Sequence, residues 1–260
     1  MTDKLATRNQ GGALAVVPEH LKKYVGVEDA ENNVTTDDLI IPRLSVAQDG
    51  MSPQLKKQSE LFIPGLEAGQ LFNSVTNEIF ESAVVIPLFF TKNYIQFAGG
   101  GVLKAVAFYD TAAEVPAGDL DWGPADEKTG KRTPPRVTEF KNRMSLILSK
   151  TGIWQPITVS FKKGETFFAD QWNSQIKFSK LEDRLPCFAH TYKVIPKLKT
   201  DGSKSWYVKT VAPNGFTPAE IYNQAASWFE QLSKGGYTVD QSGIEADTVE
   251  SADTSFDVEQ

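Results

Sequence analysis

The sequence predicts an α+β protein, mainly β, folded as a small barrel or a twisted antiparallel sheet with two late helices and disordered termini. Hydrophobic residues mostly alternate with a period of two after residue 39, which is typical of strands. Helical spacing occurs only late in the chain, at residues 165–181 and 217–233. Of the 260 residues, 40% are hydrophobic, which is enough to form a buried core.

The first long strand is predicted at residues 83–98, where most side chains are β-branched or aromatic. Pro87 lies inside it and has no backbone N–H to donate, so it predicts an edge strand or a bulge. Residues 99–101 are three glycines that end the strand and are expected to form a flexible turn. Residues 102–109 are then predicted to be its hairpin partner.

A long loop is predicted at residues 112–135, which hold four prolines and three glycines and lack a hydrophobic period. A loop of this length without structure is usually functional or mobile. Strands are expected to follow at residues 137–148 and 154–161. Pro156 argues against a central position for the second of them.

The last two strands are predicted at residues 188–198 and 206–211. Between them, Thr200-Asp201-Gly202-Ser203 contains the Asp-Gly pair that favours a tight hairpin turn. His190 lies in the first of these strands, where we expect it to make a local hydrogen bond and not to act as a general base.

Two helices are predicted. The first, at residues 165–181, places five hydrophobic side chains near one stripe: Phe167, Phe168, Trp172, Ile176 and Leu181. The second is expected from residue 217 to about 233, because Thr217 and Glu220 match a capping box with proline at the first helical position. Gly235 and Gly236 are expected to end it.

The composition excludes several kinds of site. Cys187 is the single cysteine, so no intramolecular disulfide is possible, and we expect it to be a small core residue. No phosphate-loop, dinucleotide-binding, serine-hydrolase or zinc-protease motif occurs, so we expect no enzyme activity, no cofactor and no metal. The apolar runs are too short to span a membrane and the N-terminus lacks a secretory signal, which predicts a soluble cytoplasmic protein.

Charge is distributed unevenly along the chain, whose net charge is −6. Residues 128–212 hold 17 Lys and Arg against 6 Asp and Glu, which gives this basic block a net charge of +11. Residues 1–127 have 9 against 18, and residues 213–260 have 1 against 9. A basic block of this kind can bind a polyanion.

Proteins that bind single-stranded nucleic acid combine cations along the phosphates with aromatic faces on which bases stack. The basic block holds eleven aromatics, some of which must form the core, and Trp172 is expected there. The alternative is that its cations form an ordinary solvated face. The residues that we predict to bind nucleic acid are Lys92, Tyr94, Arg132, Arg136, Lys141, Arg143, Trp154, Lys162, Lys163, Lys177, Lys180, Trp206 and Lys209.

The C-terminal segment, residues 241–260, carries six carboxylates and no lysine or arginine. Such a tail can imitate a nucleic-acid backbone and compete for a basic surface. The alternative is a disordered end that only increases solubility. Its lone aromatic lies among the acids, and the residues predicted to contact a protein partner are Asp253, Phe256, Asp257 and Glu259.

A basic, aromatic block at residues 128–212 followed by an acidic tail with a late Phe256 resembles the phage-encoded single-stranded DNA-binding proteins. The resemblance implies an OB-type barrel, or OB-like fold, with a basic and aromatic groove. It also implies that the protein coats intermediates of DNA replication or recombination. The tail would then contact a replication or recombination protein, such as a polymerase or helicase.

The predicted organisation is a weakly ordered segment at residues 1–38, a single β-rich nucleic-acid-binding domain at 39–236 with a mobile loop, and an acidic disordered tail at 237–260. The predicted function is non-enzymatic binding of single-stranded DNA in the host cytoplasm. The sequence is also compatible with a homo-oligomer. The alternative is a phage-encoded inhibitor or adaptor whose acidic segments imitate nucleic acid. A third hypothesis, a metal-dependent nuclease, is supported only by carboxylates in the predicted loop.

Overall fold

The computed structural model describes residues 38–98, 105–128, 130, 132–178, 185–202 and 204–240. In chain order, its strands and helices are β1 (Ile40–Ile41), β2 (Leu44–Val46), β3 (Leu71–Asn73), β4 (Ile79–Phe80), β5 (Ala83–Phe97), β6 (Ala105–Tyr109), β7 (Val137–Leu148), β8 (Trp154–Lys162), α1 (Thr166–Phe178), β9 (His190–Asp201), β10 (Lys204–Phe216), α2 (Ala219–Ser233) and β11 (Thr238–Val239). The chain is therefore α+β and mainly β, as predicted.

The main sheet has six antiparallel strands. Five follow the order β10-β9-β5-β7-β8, and β6 pairs with the C-terminal half of β5. Within the described part of the chain, β8 and β10 lie at opposite ends of this order. Of the two predicted forms, the structure therefore has the antiparallel sheet and not a closed barrel.

The two faces of the sheet pack against different elements. On one face, α1 and the small sheet β2-β3-β4 surround a core that includes Val85 and Trp172. On the other face, α2 and the parallel pair β1-β11 cover a core that includes Ile86 and Leu232. Adjacent residues of β5 enter different cores because successive side chains of a strand point to opposite faces.

Pro87 and Pro156 lie at positions in the sheet where a residue without a backbone N–H can be accommodated. The ladder between β5 and β7 shifts register between Pro87 and Phe89, so the predicted bulge is confirmed. Pro156 lies in β8, at the end of the strand order, where a missing donor costs least. The predicted hairpins β5-β6 and β9-β10 are also confirmed. Residues 99–104, which join the first of them, are outside the described residues.

Both late helices are confirmed, but two details are wrong. Phe167 is exposed, since consecutive residues of a helix point about 100° apart and its neighbour Phe168 takes the inward position. The hydroxyl of Thr217 donates to the carbonyl of Phe188 at 2.7 Å and does not cap α2, whose N-cap is Pro218. The helix ends at Ser233, shortly before Gly235, as expected.

The described part of the chain continues past residue 237, where the predicted tail begins. Tyr237 packs against the core under α2, and β11 pairs with β1. Arg43 fixes the end of this segment, because its Nε donates to the carbonyl of Asp240 at 2.6 Å. Residues 1–37 and 241–260 lie outside the described residues, so their predicted disorder remains a prediction.

Candidate nucleic-acid interface

Two of the predicted phosphate-binding lysines are buried and ion-paired. The ammonium of Lys141 lies 2.7 Å from both carboxylate oxygens of Asp170 in α1. Lys209 of β10 lies 3.0 Å from Glu165, one residue before α1. Alternation places both lysines on the sheet face that α1 covers. They hold the helix to the sheet and are not available to a phosphate in this arrangement.

Arg143 is also buried beneath α1. Its guanidinium lies 5.1 Å from the ring centre of Phe90 and 5.5 Å from that of Trp172, and it donates to the side-chain oxygen of Asn173. It forms no ion pair with a carboxylate among the described residues, and desolvation lowers its pKa to about 10. The two rings stabilise the cation in place of an acid.

Four predicted residues lie around the C-terminal half of β5 and the long loop. The Lys92 ammonium donates to Glu139 at 2.8 Å, and that hydrogen bond raises the pKa of Lys92. The buried Tyr94 hydroxyl donates to the same carboxylate. Arg132 donates to a loop carbonyl at 3.2 Å, and the exposed Arg136 lies 3.8 Å from Asp119.

The remaining predicted residues have varied surroundings. The ammonium of Lys162 lies 5.6 Å from the ring centre of Phe140, and burial lowers the pKa of Lys163. Lys177 is exposed on α1, with no ion pair to another described residue. Trp154 is buried in the core under α2 and offers no ring face, whereas Trp206 is half-buried. Lys180 and the tail residues Asp253, Phe256, Asp257 and Glu259 lie outside the described residues.

The structure therefore does not bring the predicted residues into one channel. Several of the cations stabilise the contact of α1 with the sheet, and others lie near the long loop at the other end of β5. The most exposed aromatic side chains among the described residues lie elsewhere, along the outer side of α1 and at the base of the β9-β10 hairpin.

Two phenylalanines of α1 project into solvent on one side of the helix. Phe167 is 61% exposed and Phe178 is 69% exposed. They are eleven residues apart, which is close to three helical turns, so they share a face at a separation of about 16 Å. Gln171 and Ser174, which are also exposed, lie between them on the same face. We call these four residues the α1 strip.

The α1 strip follows the edge strand β10. Glu165, at the start of the helix, bonds to Lys209, and Phe178, at its end, lies near Phe216 of the same strand. Phe216 is 63% exposed, and its ring lies 5.1 Å from that of His190 with 33° between the planes. A bulge between Pro213 and Phe216 shifts the register of the ladder, so that Phe216 pairs with His190.

An open groove of about 340 Å³ separates the end of α1 from the base of the hairpin. We call it the ring groove. It is lined by Ser174, Gln175 and Phe178 from α1, and by His190, Thr191, Tyr192, Pro213, Gly215 and Phe216 from β9 and β10. Its lining thus combines aromatic side chains with polar ones.

The hairpin extends beyond the sheet as an arm. β5 pairs with β9 only up to Val194, and beyond that point residues 195–201 of β9 pair with residues 204–210 of β10. Lys193, Lys197 and Lys199 alternate along β9 and therefore share one face. Residues 190–216 hold five lysines and one acid, Asp201. Within the described residues, no ion pair involves the exposed Lys193, Lys197 or Lys204.

The arm is also connected to the α1 strip. The ammonium of Lys199 lies 4.9 Å from the ring centre of Phe168, whose ring packs edge-on against Phe167 at 5.7 Å. Trp206 lies opposite Lys199 in the ladder. Through Lys199, a cation of the arm thus lies close to the rings at the start of α1.

Sequence reasoning missed the arm lysines and the exposed phenylalanines. The eleven-residue spacing of Phe167 and Phe178 places them on one face of a helix, and that face also carries Gln171 and Ser174. The presence of these two polar residues was the signal in the sequence that this face of the helix is exposed. Nothing in the sequence reveals that Phe216 meets His190, because their pairing depends on the bulge.

Comparison with known proteins assigns most of the chain to a phage family. A family model described as "Pam3 phage gp34-like protein" matches residues 9–238. No curated protein and no solved structure matches the chain. In the part of the chain that the structure describes, no helix is long and apolar enough to cross a membrane. Among the same residues, no group of three or more His, Cys, Asp or Glu side chains is placed to hold a metal ion.

Proposed function

Because the chain belongs to the family of Pam3 phage gp34-like proteins, we propose that it is a non-enzymatic protein that binds single-stranded DNA during phage replication or recombination. The DNA lies along the α1 strip and the hairpin arm. Binding depends on base stacking and on phosphate neutralisation, with little dependence on sequence over most of the site.

Two observations support this proposal: the exposed rings on α1 and at the base of the arm, and the exposed lysines that form no ion pair with another described residue, Lys177, Lys193, Lys197 and Lys204. Phe167, Phe178 and Phe216 are each more than half exposed, and apolar surface that is exposed in a patch often marks an interaction site. Stacking of a base on an aromatic side chain contributes about 1–3 kcal/mol. The three rings together can therefore supply a large part of the affinity.

The phosphate contacts in this proposal differ from those expected from sequence. They come from the exposed lysines of the arm and of α1, namely Lys177, Lys193, Lys197 and Lys204. Lys141, Arg143 and Lys209 keep their structural partners. The acidic tail competes with DNA for the arm and recruits a protein partner, with Phe256 as its apolar contact.

The experiment is a fluorescence anisotropy titration of a labelled single-stranded oligonucleotide of mixed sequence. Phe178→Ala should weaken binding at least about fivefold, which corresponds to the loss of one stacked base. Phe108→Ala is the matched control, because Phe108 is an exposed phenylalanine on β6, away from the arm. It should bind as the wild type does.

Two results would contradict the proposal. Equal affinities of Phe178→Ala and wild type would remove the α1 strip from the interface. No binding of the oligonucleotide at any salt concentration would reject the function itself. Competition with DNA for a host enzyme would then favour the adaptor that imitates nucleic acid.

A further inference from the structure

Within the described residues, three strands of the main sheet, β10, β8 and β6, each pair with only one other strand of that sheet. The free edge of a strand carries N–H and C=O groups that can pair with another chain, and native proteins usually block such edges. On β10, the side chain of Gln48 binds the C=O and the N–H of Tyr207 at 2.7 and 2.8 Å. On β8, the N–H of Thr158 donates to the carbonyl of Pro42 at 2.8 Å. Two of the three edges are therefore covered by other parts of the same chain.

The edge of β6 is not covered in this way. Among the residues that the structure describes, the backbone of β6 hydrogen-bonds only along its ladder with β5. Its five residues, Ala105–Tyr109, include no charged side chain and no proline, both of which commonly block an edge. Val106 is 55% exposed and Phe108 is 48% exposed. β6 therefore presents apolar side chains to solvent next to a backbone edge that no described element covers.

The sequence of β6 is complementary to itself in an antiparallel pair. With a two-fold axis at Ala107, each Val106 lies opposite the partner's Phe108, and a β-branched residue opposite an aromatic one is a favourable cross-strand pair. The sequence also has opposite charges on the two sides of β6, Lys104 before it and Asp110 after it. An antiparallel pair brings these opposite charges together at both ends, whereas a parallel pair would bring like charges together. Both features favour a second copy of this chain as the partner.

We propose that two copies of the protein associate through β6, with the two strands antiparallel about Ala107, so that the main sheet continues from one copy into the other. A two-fold contact uses the same surface on both copies and is closed by two. Because one short strand on each side buries less surface than a permanent dimer does, the dimer dissociates on dilution. The inference goes beyond the proposed function and does not depend on it, since β6 carries none of the residues proposed to contact DNA.

Analytical ultracentrifugation of the full chain, without DNA, at concentrations from about 1 μM to 1 mM tests the association. The average mass should rise towards twice the monomer mass. Val106→Lys should weaken the dimer at least about tenfold, because it replaces an apolar cross-strand contact by a hydrated charge on the edge strand. Ile153→Lys is the matched control, since Ile153 is 56% exposed and lies between β7 and β8. This variant should dimerise as the wild type does.

A cysteine placed at the two-fold axis tests the register. Residues directly opposite each other in an antiparallel pair have Cα atoms about 4.5–5.5 Å apart, which a disulfide can bridge. The single native cysteine is first removed by Cys187→Ala. In this background, Ala107→Cys should form a disulfide-linked dimer under mild oxidation, whereas Ile153→Cys should remain monomeric. Far-UV circular dichroism confirms that each variant is folded.

Three results would overturn the proposal. A monomer at every concentration up to about 1 mM would reject a second copy as the partner and leave the edge to another segment of the chain or to a different protein. A dimer that Val106→Lys does not weaken would use another surface. A dimer that Val106→Lys weakens, but that Ala107→Cys does not link, would reject the antiparallel pairing about Ala107. None of these results bears on the binding of DNA.

Discussion

At the scale of single residues, the sequence identified the cations but not their surroundings. Lys197 and Lys209 are indistinguishable by composition, yet one is exposed on the arm and the other is buried against Glu165. Strand alternation places them on opposite faces only once the register of β9 and β10 is known. The covering helix α1 then decides which face is buried, and that packing is a tertiary property.

The difference between these two lysines is directly testable. Lys209→Met leaves Glu165 buried without its charged partner, so it should lower the free energy of unfolding by about 3 kcal/mol in urea denaturation. Lys197→Met should change that free energy by less than about 0.5 kcal/mol, because the side chain is exposed.

For DNA binding the expected order is reversed: Lys197→Met should change the salt dependence of the affinity, and Lys209→Met should not. Lys197→Met should reduce the slope of log affinity against log salt by about 0.7, the contribution of one phosphate on a single strand. Lys209→Met, measured where it is fully folded, should keep the wild-type slope. A reduced slope for Lys209→Met with unchanged stability would contradict this account, because it would show that Lys209 contacts the DNA.

At the scale of elements, local chemistry predicted most of the strands and both helices, while their packing was not predictable. Pro87, Pro156 and the Asp201-Gly202 turn each act through the backbone within a few residues. The position of the arm depends instead on contacts between residues that are far apart in the sequence. Gln48 both donates to the carbonyl of Tyr207 and accepts from its N–H, at 2.7 and 2.8 Å.

Gly69 provides a test of how the arm is held. A Cβ at this position would lie 2.5 Å from the ring of Tyr207, and its φ of +87° is strained for other residues. Gly65 has a similar φ of +82° but would meet no atom within 4 Å. Gly69→Ala and Gly65→Ala therefore share the backbone penalty of about 1–3 kcal/mol, and only the first displaces the ring.

We expect Gly69→Ala to be less stable than Gly65→Ala by an additional 1–3 kcal/mol or so. Hydrogen exchange should increase at residues 204–209 in Gly69→Ala alone, because the arm loses its contact with Gly69 and Gln48. Equal stabilities and equal exchange would show that the arm does not depend on this contact.

At the scale of the whole molecule, the sequence shows where charge is concentrated along the chain but not which of those charges the fold exposes. The basic block predicted a polyanion partner, but its +11 net charge is divided between structural cations and the exposed arm. The exposed rings were not predicted from the sequence. Phe167, for example, was expected to face the core. The acidic tail remains a feature of sequence alone.

Removal of residues 241–260 tests the role of the tail. The truncated protein should bind single-stranded DNA more tightly than the full chain at low salt, and the difference should shrink as salt screens the charges. A full-length control replaces the six carboxylates Glu245, Asp247, Glu250, Asp253, Asp257 and Glu259 by their amides. It should match the truncation, and unchanged or weaker binding in both would remove the competitive role.

The most direct test is to map the DNA contacts by photo-cross-linking. A single-stranded oligonucleotide containing 5-iodouracil is irradiated with the full chain, and the cross-linked peptides are identified by mass spectrometry. The account predicts cross-links within residues 166–178 and 190–216, at Phe167, Phe178, Trp206 or Phe216. Cross-links confined to β7, β8 and the loop at residues 112–135 would contradict it, because they would place the strand away from every exposed ring of the α1 strip and the arm.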